Sequence, residues 1–90
     1  MVQIYFIRHG ETDYNKLGIS QGHKPVDINQ KGIKQAIKTG NYLHEYRNKK
    51  PFDCIISSPL LRARSTALFI KDALNFKKTI FYDPPLKELD

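Results

Sequence analysis

Apolar positions along this chain fall into three short runs and two longer stripes. Val2 to Ile7 is almost continuously apolar, with β-branched and aromatic residues. That pattern predicts a strand buried on both faces, as in a parallel sheet. Cys54, Ile55 and Ile56, within DCIISSP, form a second run, and TIFY, Thr79 to Tyr82, a third. Ile33, Ala36, Ile37, Gly40, Leu43 and Tyr46 recur at helical spacing behind Asn29, a good N-cap. They predict a helix to about Arg47, ended by Lys49, Lys50 and Pro51. Leu60, Ala63, Ala67, Ile70 and Leu74 mark one face of a second helix, with Ser58 as its expected N-cap and Pro59 as its first residue. Gly10 to Asn29 is polar and aperiodic, with Gly18, Gly22 and Pro25, and reads as a long loop. Loops of that length in compact domains are often functional.

The predicted order is therefore β-α-β-α-β, an α/β fold. Helices between successive strands imply a parallel sheet with right-handed crossovers. Such sheets bind ligands beyond the carboxyl ends of their strands. Three segments are expected on that edge: Arg8 to Asn15, Ser57 to Arg62, and Pro84 to Asp90, where Pro84-Pro85 breaks the third strand.

Composition narrows the field only partly. Ninety residues make one small domain, and 40% hydrophobic with 27% charged residues is a globular balance. Fifteen Lys and Arg against nine Asp and Glu give a net charge of +6, which attracts anions: phosphorylated metabolites, nucleic acid or acidic lipid. The basic residues are spread along the chain and no nucleic-acid-binding motif is present, so no nucleic-acid partner is expected. The run RNKKP, Arg47 to Pro51, reads as a solvated helix end. Cys54 is the only cysteine, so no internal disulfide forms, which suits a reducing compartment. The N-terminus lacks the pattern of a signal peptide, and no apolar run approaches the ~20 residues that cross a bilayer. A cytoplasmic chain with no membrane partner is expected. No metal-ligand spacing and no glycine-rich phosphate motif is present.

The chemistry worth weighing lies in YFIRHGETDYN, where an apolar run stops at Arg8, His9 and Gly10. A neutral imidazole nitrogen can attack phosphorus and carry a phosphoryl group covalently. Its other nitrogen then needs an acceptor, such as a backbone carbonyl, to fix tautomer and aim. Neighbouring cations favour the neutral imidazole. Arg8 would supply such a cation and a fork of donors matched to phosphate oxygens. Gly10 lets a group approach the backbone closely. Arg62, in the first turn of the second helix, would join the unpaired amides of that helix N-terminus, both favouring an anion. Thr12, Asn15 and the Gln21-Gly22 turn can add hydrogen bonds. Glu88 follows the third strand, where a carboxylic acid could protonate a leaving oxygen.

Taken singly, each residue has an ordinary reading. A histidine after a strand is commonly solvated, Arg62 is a surface helix arginine, and Glu88 a solvated loop carboxylate. Glu11 suits a local salt bridge better than chemistry. His23 and His44 fall in the loop and mid-helix, and Cys54 reads as a core residue.

The ordered set is more specific than its parts. RHGET with Asn15 three positions later, then QG, SSPLLRARSTA and LKEL, resembles the histidine phosphatase superfamily, which includes phosphoglycerate mutases and broad phosphomonoesterases. The resemblance runs from about Val2 to Leu89. It implies a parallel-sheet three-layer sandwich of the phosphoglycerate mutase-like type, here truncated to its N-terminal portion. It implies His9 as the residue transiently phosphorylated, Arg8 and Arg62 as phosphate-binding arginines, Asn15, Gln21 and Gly22 as substrate contacts, and Glu88 as proton donor. It implies no metal and no cofactor, and a small phosphorylated metabolite as partner. The phosphatase-like members fit better than the mutases. Members are ordinarily longer, and their further portion brings another strand and a second catalytic histidine, for which this chain has no candidate. Two expectations stay open: a phosphomonoester-hydrolysing site, or an inactive phosphate-binding fragment. An exposed sheet edge would invite a dimer or a complementing chain.

Overall fold

A computed structural model describes residues 5–22, 24–47 and 52–89. Its elements in chain order are α1 (Asp13–Leu17), α2 (Gln30–Arg47), β1 (Ile55–Ser57), α3 (Leu61–Leu74), β2 (Ile80–Tyr82) and a 3-10 helix (Pro84–Leu89). β1 and β2 pair in parallel, Ile55 opposite Ile80 and Ser57 opposite Tyr82, with α3 as the crossover between them. The α/β class and parallel sheet follow the apolar runs.

The two long helices form where the spacing puts them. Asn29 Oδ1 accepts from the Gly32 amide at 2.9 Å and caps α2, satisfying one of its orphan donors. Asn75, with φ +60°, closes α3 in the left-handed conformation. α2 and α3 pack together closely. A Cβ on Gly40 would lie 2.6 Å from Ala73 Cβ, so only a glycine lets the helices approach this far. Among the described residues the core is Ile28 before α2, Ala36 from α2, Leu60, Ala67, Ile70 and Leu74 from the α3 segment, and Phe76 and Ile80 beyond it.

Four expectations are corrected. The described part of the first run, Tyr5 to Ile7, is exposed and forms no strand, while Val2 to Ile4 lie outside the described residues. Tyr5 still packs edge-on against Phe52, 5.8 Å between rings, and Gly10 reaches α3. Tyr5 thus meets Phe52, just before β1, and Gly10 meets α3, while Tyr5 to Ile7 belong to no strand. The segment's apolar pattern needs cover on two sides, and the described residues leave Tyr5 to Ile7 largely uncovered. For the same reason Cys54 is exposed and not in the core: strand alternation turns Ile55 and Ser57 inward and Cys54 and Ile56 outward. Third, α3 starts at Leu61 with Leu60 at the N-cap position, not at Pro59 behind Ser58. Ser58 Oγ accepts from the Leu60 amide at 3.2 Å, and Ser57 Oγ donates to Ser58 O at 2.8 Å. Those hydroxyls build a turn that delays the helix. Fourth, the long loop contains α1, held by a capping box between Thr12 and Asn15. No helix among the described residues is long and apolar enough to cross a membrane.

Candidate active site

The segment after Ile7 is gripped from both sides. On the α2 side, a Cβ on Gly10 would lie 2.6 Å from Gly32 O, and one on Gly32 would strike Glu11 O. Two glycines back to back therefore let the loop press against the start of α2. Asn29 N donates to Glu11 O at 2.8 Å and Glu11 N to Gln35 Oε1 at 2.9 Å. Asn29 Nδ2 donates to Glu11 Oε1 at 3.0 Å, and Lys31 Nζ stands 3.5 Å from Glu11 Oε2. The Asn29 hydrogen bond, with Lys31 helping, holds the Glu11 carboxyl below its ordinary pKa. Glu11 thus makes the local pairing its position suggested.

On the α3 side, the Gly10 amide donates to Thr66 Oγ1 at 2.9 Å, and that hydroxyl donates to Arg62 O at 2.7 Å. Thr66 is buried and escaped the sequence reading. Its signal was present in RARST: a hydroxyl four residues after Arg62, beside the apolar position Ala67, lies on the inward face of the helix.

His9 is half-buried, with Nδ1 2.8 Å from Gly10 O. A carbonyl oxygen only accepts, so a neutral ring here carries its proton on Nδ1 and keeps the lone pair on Nε2. Arg8 beside it is exposed and makes no hydrogen bond or ion pair among the described residues. Arg62, in the first turn of α3, is only 1% exposed. Its Nη2 donates to Gly22 O at 2.6 Å and its Nη1 reaches Lys24 O at 3.5 Å. Gly22, at φ +53°, takes a left-handed turn that most residues resist, and its carbonyl faces the guanidinium. Carbonyl dipoles offset the desolvation of a buried cation.

The same loop ties back to α1. Thr12, with no exposed surface, donates its hydroxyl to Gln21 Oε1 at 2.6 Å and accepts from the Asn15 amide at 3.1 Å. Here Thr12 holds the loop, and Asn15 stands exposed beside it. One chain of bonds and chain neighbours therefore links His9, Gly10, Thr66, Arg62, Gly22, Gln21, Thr12 and Asn15. Arg8 stands at its open end. Asp83 N donates to Ser57 O at 2.9 Å, which brings the start of the 3-10 helix to the end of β1. Glu88 is in that helix, and its side chain lies outside the described residues, as does His23. His44 sits mid-helix with Nδ1 3.0 Å from Leu74 O, away from this chain of contacts.

Known proteins resemble this chain over nearly its whole length. The histidine phosphatase superfamily (branch 1) matches residues 4–90. A broad-specificity phosphatase of Saccharomyces cerevisiae is 38% identical over 98% of this chain, which spans 38% of that protein. An adenosylcobalamin/alpha-ribazole phosphatase of Salmonella typhimurium is 38% identical over 98% of the chain, which spans 41% of it. Among solved structures, a mycobacterial glucosyl-3-phosphoglycerate phosphatase complexed with VO3 superposes with a TM-score of 0.73 at 29% identity, over 87% of this chain and 34% of that one. The chain thus spans about two fifths of the curated relatives' length. With the family pattern matched over nearly every residue, the chain belongs to the histidine phosphatase superfamily.

Proposed function

We propose that this chain supplies the phosphoryl-accepting part of a phosphomonoester-hydrolysing site that acts on a small phosphorylated metabolite. His9 Nε2 forms a bond to phosphorus as the bond from phosphorus to the leaving oxygen breaks. The leaving oxygen takes a proton from the Glu88 carboxylic acid. Water then attacks phosphorus and gives its proton to the Glu88 carboxylate, the N–P bond breaks, and inorganic phosphate departs. Arg8 and the first turn of α3 with Arg62 offset the charge on the phosphoryl oxygens. The observation supporting this reading is the Nδ1 contact with Gly10 O, which in the neutral ring puts the proton on Nδ1 and the lone pair on Nε2.

A second reading has its own support. The Arg62 guanidinium is engaged with the Gly22 and Lys24 carbonyls. In that case the chain binds an oxyanion at His9 and Arg8 without turnover. The side of the sheet that the described residues leave open, with Ile56 and Phe81 exposed, supports a second copy or a complementing chain as a further partner.

Incubating the chain with radiolabelled acetyl phosphate separates the two. Acid-labile, alkali-stable label on wild type, absent from His9→Ala, is the expected result. Equal labelling of both variants defeats covalent transfer through His9. Vanadate binding with no His9-dependent label selects the binding-only reading.

A further inference from the structure

Resting on that reading, we propose that Thr66 is the positioning residue that aims His9. A threonine hydroxyl has one proton and two lone pairs. In α3 the proton goes back one turn to Arg62 O at 2.7 Å, so a lone pair must face away from the helix axis. The Gly10 amide meets it at 2.9 Å, 56 residues earlier in the chain.

Gly10 joins two peptide planes, and each is tied to a different helix. The His9–Gly10 plane is tied to α3 through Thr66. The Gly10–Glu11 plane gives its N–H to Gln35 of α2 at 2.9 Å and its C=O to His9 Nδ1 at 2.8 Å. The ring is therefore aimed by a carbonyl whose own plane is pinned at both neighbours. Gln35 is exposed, so water can replace its bond. Thr66 is 4% exposed, so without its hydroxyl the Gly10 N–H loses its partner in a site closed to water. To regain a partner the His9–Gly10 plane must turn, and the imidazole turns with it. Thr66 also fixes the distance between His9 and the first turn of α3, because the atom it donates to is Arg62's own carbonyl. The β-branched methyl favours few χ1 wells, so the hydroxyl is held ready.

Thr66→Val keeps shape and deletes the hydroxyl, and Thr66→Ser restores it. The imidazole nitrogens of His9 are read by 15N NMR, with signals assigned against His9→Ala. We expect the Nδ1–H tautomer in wild type and Thr66→Ser, and its loss in Thr66→Val. Labelling by acetyl phosphate should slow by about tenfold or more in Thr66→Val at unchanged half-saturation, since small misplacements of a reacting group carry costs of that order. Thr66→Ser should return to within about twofold of wild type, on the same reasoning. Unchanged His9 nitrogens in a folded Thr66→Val chain overturn the proposal. If wild type takes no label at His9, phosphoryl transfer fails as a reading, while the nitrogen shifts still decide the role of Thr66. If Thr66→Val does not fold, amide exchange in wild type decides: the Gly10 N–H must be strongly protected, and exchange at free-loop rates overturns the proposal.

Discussion

At the scale of single residues, the site depends on how little room two glycines leave. Gly32 is the third residue of α2, where alanine would ordinarily add helix stability, by up to ~1 kcal/mol in a helix interior. Its Cβ, however, would strike Glu11 O and lie 2.8 Å from both Glu11 N and Ile28 Cβ. Two of those atoms are backbone and cannot rotate away. Overpacking of this kind costs about 1–3 kcal/mol, so it outweighs the propensity gain. Gly32→Ala is expected to lower the urea midpoint with an unchanged m-value. A variant as stable as wild type would mean that the loop does not press on the helix. That His9, Gly10 and Arg62 would come together was legible because they stand in one ordered motif, and their contacts link them. Thr66 was not, because a helical threonine reads as a neutral surface position unless its i−4 neighbour is weighed with it.

At the scale of elements, legibility followed the source of each element's stability. α2 and α3 bury apolar stripes, and stripes are written at a spacing the sequence displays. α1 has no buried residue and rests on the reciprocal bonds of Thr12 and Asn15, which leave no periodic trace. The start of α3 was misread because Ser57 and Ser58 use their hydroxyls in a turn. Cys54 was misread because three apolar letters do not say which of them turns inward. The loop and α2 are also joined electrostatically, through Glu11 with Asn29 and Lys31. The folded pKa of Glu11 lies below its unfolded value. Its contribution is therefore complete above the ordinary carboxylate range and is lost as pH falls through the lowered folded value. Wild type should exceed Glu11→Gln in urea midpoint at neutral pH, and the gap should close as the solution is acidified through that window. A gap that widens on acidification would reverse the assigned sign.

At the scale of the whole molecule, the described residues dress the sheet on one side only. Ile55, Ser57 and Ile80 turn towards the helices, while Ile56 and Phe81, direct partners in the register, are 57% and 60% exposed on the other side. Phe6 is exposed as well, at 82%. Parallel sheets are ordinarily covered on both faces, so this apolar surface favours association. Burying one such side chain fully is worth about 1.5–3 kcal/mol. The net charge of +6 opposes contact between two copies, but added salt screens charges beyond ~10 Å at 0.1 M and leaves the apolar term in place. Two copies should therefore pair through this face, and the pairing should strengthen with salt. Sedimentation equilibrium should show the mean mass rising with concentration, more steeply in high salt. The double variant Ile56→Thr with Phe81→Thr keeps β-propensity at exposed positions and should sediment closer to a monomer under all conditions. Association that weakens with salt, or that the double variant leaves unchanged, would assign the contact to charge or to another surface.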